Sequence, residues 1–432
     1  MSNRRIRAVI VAAIAFCVAA AFMAHFRWVP AETDSPGAPQ ALGEYPALTA
    51  AKGVDPTAFY TPPAPLPNVA PGTVLKSEPI PGAPEGVRLW RMMYMSNNNK
   101  GNPVAVTGYY AEPTLPPAQS NRYPLVGMAH GTTGVGRKCG MSQAPLESGT
   151  PGNEYWNTIV EPLTQAGYAV AVTDYEGMGA PGTPTYLVRD AQAFDVLDSM
   201  RAAIGFHPQV IDTSRLGIIG HSEGGFAALA AAQAVPTYAP DLAVRGSVVL
   251  APGLIPPIPA ALGALVAGSD DQGGASPRTG YLAVLGWSWA ATYPDQIKLD
   301  QIFTPEGLRV LPKAIELCTG EMRLAFPGKL SDYIRTDLPQ SMVTIAAANM
   351  PVNGVSNVPL LIQQGDEDIS VVPQLTKSLL AQLCTQGGKV EYQQYDNDSH
   401  RSLQWTGRVA YVDWLAARFA GAPVSTDCQG LQ

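Results

Sequence analysis

Ser222 sits in Gly220-His221-Ser222-Glu223-Gly224, between two runs of opposite character. Before it, Leu216-Gly217-Ile218-Ile219 has the short, branched pattern of a buried strand; after it, Gly225-Phe226-Ala227-Ala228-Leu229-Ala230-Ala231-Ala232 is a strong helix former. A serine on such a strand-to-helix turn projects its hydroxyl above the sheet edge, with glycines keeping side chains out of the neighbouring strand and helix. In a chain with 42 glycines this spacing can arise by accident, and the strand-turn-helix context is what gives it meaning. A serine hydroxyl is a poor nucleophile at neutral pH, so it needs a base within hydrogen-bond reach and a carboxylate to orient that base. Of five histidines, His25 lies in the apolar start, His130 ends a strand, His207 precedes a proline and His221 should face sideways from the turn. His400, in Asp396-Asn397-Asp398-Ser399-His400, follows the last predicted strand and is the expected base. The acid should also follow a strand; in Gly365-Asp366-Glu367-Asp368 the first choice is Asp368, where the chain bends toward the next helix, and Asp366 is the reserve. Backbone N–H groups of Glu223, at the helix start, and of Thr132, in His130-Gly131-Thr132-Thr133-Gly134, are placed to meet charge on a substrate oxygen, with Thr133 in reserve. This set of residues is equipped for acyl transfer through a serine ester.

Such residues converge only if a sheet delivers them to one edge. Residues 87–94 and 104–110 read as two strands joined by the Asn-rich turn Asn97-Asn98-Asn99-Lys100-Gly101. From Tyr123 strands alternate with helices, which predicts a mostly parallel sheet with helices on both faces. The strands are 125–129, 168–173, the one before Ser222, 244–251, 358–364 and 390–395; helices are expected over 156–166, 190–206 (amphipathic), 372–383 and 408–419. The alternation stops between residues 252 and 352, where helices are expected near 260–266, 281–292 and 306–317. An insertion of that length reads as a helical cap over the carboxyl ends of the strands. Its apolar stretch Leu254-Ile255-Pro256-Pro257-Ile258-Pro259-Ala260-Ala261-Leu262 could line an acyl pocket or simply form cap core. The expected division is therefore 1–31 leader, 32–84 Pro/Ala/Gly-rich arm, 85–251 first part of the core, 252–352 cap and 353–432 second part of the core.

With 432 residues and 46% hydrophobic content the chain can bury a sizeable core. Charged residues make up only 15%, the net charge is −7, and no basic run lies outside the N-terminus, which argues against a nucleic-acid partner. Arg4, Arg5 and Arg7 precede an uncharged run over residues 8–24, the pattern of an export signal, either cleaved or retained as an anchor on the outer face of the membrane. Outside that run the cysteines are Cys139, Cys318, Cys384 and Cys428, an even set that suggests two disulfides with three pairings open. Their spacing is unlike that of a metal site.

The order Ser222, Asp368, His400 is that of α/β-hydrolases. Over residues 123–419 the chain resembles that superfamily, and within it the secretory lipase family of the lipase A type. The resemblance rests on His130-Gly131-Thr132-Thr133-Gly134, Asp174-Tyr175-Glu176-Gly177, Gly220-His221-Ser222-Glu223-Gly224-Gly225, the Gly365-Asp366-Glu367-Asp368 turn and Asp398-Ser399-His400. It implies hydrolysis of acylglycerols or similar lipid esters, a helical cap between serine and acid, contact with a lipid interface and no cofactor or metal. It also implies the pairs Cys139–Cys318 and Cys384–Cys428. The same three side chains would serve an aminopeptidase or acyltransferase, and the fold itself would serve a non-catalytic binding protein. Oligomeric state is left open.

Overall fold

Branched and aromatic runs become strands, and the Ala- and Leu-rich runs between them become helices, in a computed structural model that describes residues 56–115, 121–255, 277–352, 354 and 356–428. The chain divides into two units, Met1–Ala47 and Leu48–Gln432, and everything described belongs to the second. The expected leader, the helix near 260–266 and most of the apolar stretch 254–262 lie outside the described residues. Among the described residues no helix is long and apolar enough to cross a membrane.

A nine-stranded sheet organises the molecule, in the order β1-β2-β3-β5-β4-β6-β7-β8-β9. Its strands are β1 (Val74–Pro79), β2 (Val87–Asn97), β3 (Pro103–Pro113), β4 (Tyr123–Ala129), β5 (Ala169–Thr173), β6 (Ile211–His221), β7 (Val244–Leu250), β8 (Leu360–Gly365) and β9 (Val390–Tyr395). From β1 through β3 to β5 neighbours run antiparallel, and from β5 to β9 all are parallel. Strands β4, β5 and β8 are buried along their whole length, as expected where helices cover both faces. In the β2–β3 turn, Asn98 Oδ1 accepts from the backbone of Lys100 and Asn102, and Gly101 takes a φ of 78°.

Two features of the sheet and its covering helices depart from expectation. The arm assigned to residues 32–84 contains β1, which pairs with β2 from Val74↔Tyr94 to Pro79↔Trp90. An edge strand needs partners on one side only and tolerates a proline, so the local Pro and Gly density hides it. Helix α1 (Arg189–Phe206) is not amphipathic but buried nearly all round, with Gln192, Asp195 and Asp198 inside. It packs on β2, β4 and β5 beside helix α2 (Glu223–Tyr238), the helix that follows Ser222 and itself lies on β6 and β7.

Between β7 and β8 the insertion carries helices α3 (Pro277–Thr292), α4 (Pro305–Ala314) and α5 (Gln340–Asn349) around a core containing Trp289, Phe303 and Phe326. Helix α5 was not anticipated. The insertion is fastened to the loop after β4 by the disulfide Cys139–Cys318 and the bridge Gly134↔Cys318. Helices α6 (Pro373–Thr385) and α7 (Arg408–Phe419) complete the fold, and a second disulfide, Cys384–Cys428, ties the end of α6 to the end of the described chain.

Candidate active site

β6 ends in His221, α2 begins at Glu223, and Ser222 alone turns the chain, with φ 60° and ψ −119°. That is a costly conformation for a residue with a side chain, and it persists because the surroundings fix it. The Ser222 N–H donates to Leu250 O at 2.9 Å, and its carbonyl accepts from Phe226 N at 3.0 Å and Gly253 N at 2.8 Å. The tight turn leaves no room at the flanking glycines: a Cβ on Gly220 would stand 2.0 Å from Gly224 O, and one on Gly224 would stand 2.0 Å from Ala129 O. The expected crowding of the adjacent helix and strand is therefore literal.

His400 arrives on the loop after β9, and Asp368 on the loop after β8. A 2.7 Å hydrogen bond joins His400 Nδ1 to Asp368 Oδ2. Asp368 is 2% exposed and needs donors to stay charged. Its Oδ1 accepts from the backbone of Ser370 and Val371, both at 2.8 Å, and Gln364 Nε2 donates to Oδ2 at 3.0 Å. Asp366, the reserve acid, is exposed and instead accepts from Asn397 N at 2.7 Å. Gln364 was missed in the sequence; fully buried and held by Thr376 Oγ1, it supports the carboxylate that meets the imidazole.

His221 links the two halves. Its Nε2 donates to His400 O at 2.8 Å, so its Nδ1 is the acceptor for Tyr155 OH at 3.1 Å. Burial drives its basicity well below the ordinary histidine value, and the ring stays neutral. The His221 and His400 rings lie 4.6 Å apart. His400 is thus tied to the residue immediately before Ser222. Among the described residues no hydrogen bond joins the Ser222 hydroxyl itself to His400.

The loop after β4 passes directly against the turn: a Cβ on Gly131 would lie 2.0 Å from Tyr155 OH and 2.9 Å from His221 O. His130 is buried, pushed down to about 4, and therefore neutral. Tyr175, at φ 66°, donates from its hydroxyl to His130 O at 2.9 Å. Thr132 shares a 2.9 Å hydrogen bond with Tyr186 OH, and its carbonyl accepts from Thr319 Oγ1 at 2.8 Å. Thr133 is more deeply committed: its hydroxyl donates to Cys139 O and its carbonyl accepts from Thr319 N, both at 2.9 Å. The inserted segment therefore grips the loop at Thr132, Thr133 and Cys139. Among the described residues no cluster of three or more His, Cys, Asp or Glu is arranged to hold a metal.

A mostly parallel sheet with a strained serine between strand and helix, and a His–Asp pair on later loops, defines an α/β-hydrolase. Candida antarctica lipase A in its closed state superimposes with a TM-score of 0.71 at 18% identity, covering 86% of this chain and 89% of that one. A rice cell wall degrading esterase, LipA from Xanthomonas oryzae, gives a TM-score of 0.63 at 18% identity, covering 81% and 98%. The chain belongs to the secretory lipase family, whose model matches residues 143–427. It is accordingly a carboxylic ester hydrolase, and the family implies export. Lipase A of Arthroderma benhamiae is 26% identical over 86% of this chain and 81% of its own length. A probable inactive lipase of Mycobacterium tuberculosis is 26% identical over 85% and 82%, and a trichothecene C-3 esterase of Fusarium sporotrichioides is 26% identical over 86% and 85%.

Proposed function

We propose that Ser222 is the nucleophile, His400 the general base and Asp368 its orienting acid. In this reading Ser222 Oγ adds to the acyl carbon of a lipid ester as His400 Nε2 takes its proton. The Thr132 and Glu223 N–H groups receive the oxyanion, the alcohol leaves with the proton from His400, and water then cleaves the acyl-enzyme by the same steps reversed in role. The observation that carries the reading is the 2.7 Å Asp368–His400 pair, in which the His400 carbonyl accepts from the side chain of His221, the residue before Ser222. The inserted helices, gripping the oxyanion loop, serve as the cap that receives the acyl chain. Residues 1–31 direct export, and N-terminal sequencing of the mature protein tells release from anchoring.

The test measures p-nitrophenyl ester turnover in wild type and Ser222→Ala, beside fluorophosphonate labelling mapped by mass spectrometry. Labelling at Ser222 and turnover lost with it support the reading; turnover surviving Ser222→Ala sinks it. Because one relative bears the name of an inactive lipase, a silent protein is the second outcome, recognised by an absence of both labelling and turnover. Esters of increasing chain length, assayed below and above their solubility, then define the acyl group and any response to a lipid interface.

A further inference from the structure

Glu223 contributes its N–H to the proposed oxyanion site, but its side chain is buried, the residue being 3% exposed. Gln192 Nε2, from α1, donates to Glu223 Oε1 at 2.6 Å. The Thr132 hydroxyl lies beside the same carboxyl and, on its other side, hydrogen-bonds with Tyr186 OH at 2.9 Å. One carboxyl thus joins the start of α2 to the loop that carries the second proposed donor, and anchors both to α1. We propose that the Glu223 carboxyl is a positioning residue which latches the Thr132 loop to α2 and keeps the two backbone N–H groups aimed at one oxyanion. This rests on the ester-hydrolase reading above and adds a control on that same site.

The surroundings favour the neutral form. Among the described residues the ionisable groups facing Glu223 are Tyr155, on the helical turn Pro151–Tyr155, and Tyr175 and Tyr186, on the segment after β5. Burial raises all three phenols well above their ordinary value, so they are neutral and supply no countercharge. Burial likewise pushes Glu223 up to about 8. A neutral carboxyl both donates and accepts, which suits a latch between a side-chain amide and a hydroxyl; an ionised one only accepts. Ionisation would also place a negative charge in low dielectric beside the oxyanion that forms during the reaction, raising the barrier. Turnover should therefore fall as Glu223 loses its proton.

The experiment measures kcat and KM for a soluble p-nitrophenyl ester from pH 6 to 10 in wild type, Glu223→Gln and Glu223→Ala, with fluorophosphonate labelling of Ser222 at pH 6 in each. The expected wild-type kcat declines with a midpoint near 8 while KM stays nearly constant. Glu223→Ala lowers kcat about 10- to 100-fold, somewhat less than the loss of a whole oxyanion donor. Glu223→Gln, which keeps both a donor and an acceptor, recovers most of that loss and shows no decline between pH 7 and 9. A wild-type kcat that is flat through pH 9, an unchanged alkaline decline in Glu223→Gln, or equal kcat in the two variants would overturn the proposal while labelling at Ser222 persists. Absence of labelling in wild type would overturn the ester-hydrolase reading, and this proposal with it. If Glu223→Ala fails to fold, the comparison of wild type with Glu223→Gln decides alone.

Discussion

At the scale of single residues, the site is defined by what each side chain is prevented from doing. Asp368 is inside the protein yet surrounded by three donors besides His400, from Ser370, Val371 and Gln364, so it remains an acceptor for Nδ1 and fixes Nε2 as the basic nitrogen. Asp368→Asn should keep the shape and present the wrong tautomer, lowering kcat about 10⁴-fold, whereas Asp366→Asn should change kcat less than threefold. A large loss in the second variant and none in the first, in steady-state assays at pH 7, would assign the acid wrongly. Gln364→Leu removes one donor from the buried carboxylate that orients His400 and should cost about 10-fold in kcat. The strand-to-helix turn at Ser222 and the meeting of His400 with Asp368 rather than Asp366 were legible because strand-end turns and loops carry strong local patterns. Gln364 and the Glu223 carboxyl were not, since a buried amide in Leu360-Leu361-Ile362-Gln363-Gln364 carries no sign of which loop will fold over it.

At the scale of elements, the elbow works because β4, β6 and α2 approach closer than any side chain allows. Gly224→Ala would put a methyl 2.0 Å from Ala129 O, so the end of β4 must separate from α2. The expected cost is about 1–3 kcal/mol of stability, with Ser222 labelling slowed because the turn itself shifts. Equal denaturant midpoints and equal labelling rates for wild type and variant would disprove the close approach. The grip of the insertion on the Thr132 loop makes a different demand. Cys139–Cys318 closes a span of 179 residues and lies next to Gly134, where a Cβ would touch Cys139 Sγ and the Cys318 backbone. Replacing both cysteines with serine should lower stability by about 2–4 kcal/mol and lower kcat more than it raises KM, since the loop carries the proposed oxyanion donor. The alternation of strand and helix predicted the parallel sheet well, because both periods are local properties. It missed β1, whose one-sided pairing leaves only a faint pattern among prolines, and it took α1 for a surface helix because its polar residues recur as on a solvent face. Gln192, Asp195 and Asp198 are inside instead, where Glu223, Glu176 and Ser96 meet them.

At the scale of the whole molecule, burying so many ionisable groups ties stability to pH in opposite senses. Glu176 is pushed up to about 7 and Glu223 to about 8, both by burial, from an ordinary 4.5. For these acids the native state holds more protons than the unfolded chain between pH 4.5 and 8, so stability declines as pH rises through that window. Asp195, also raised well above its ordinary value by burial, acts in the same direction. His130 is pushed down from 6.5 to about 4 and His221 well below 6.5, again by burial. For these bases the native state holds fewer protons, so stability is complete above 6.5 and is lost as pH falls toward their folded values. The two trends oppose one another between pH 4.5 and 6.5; above 6.5 only the acids act, and below 4.5 the histidines dominate. The melting temperature should therefore peak between pH 4.5 and 6.5 and decline from 6.5 to 8.5. Glu176→Gln and Glu223→Gln should each flatten that alkaline decline, and together flatten it further, because an amide carries no charge to desolvate; what remains belongs to Asp195. Calorimetric scans at half-unit intervals decide the matter: a melting temperature that climbs steadily from pH 6.5 to 8.5 in the wild-type protein is incompatible with carboxyls kept neutral by burial beside the candidate active site.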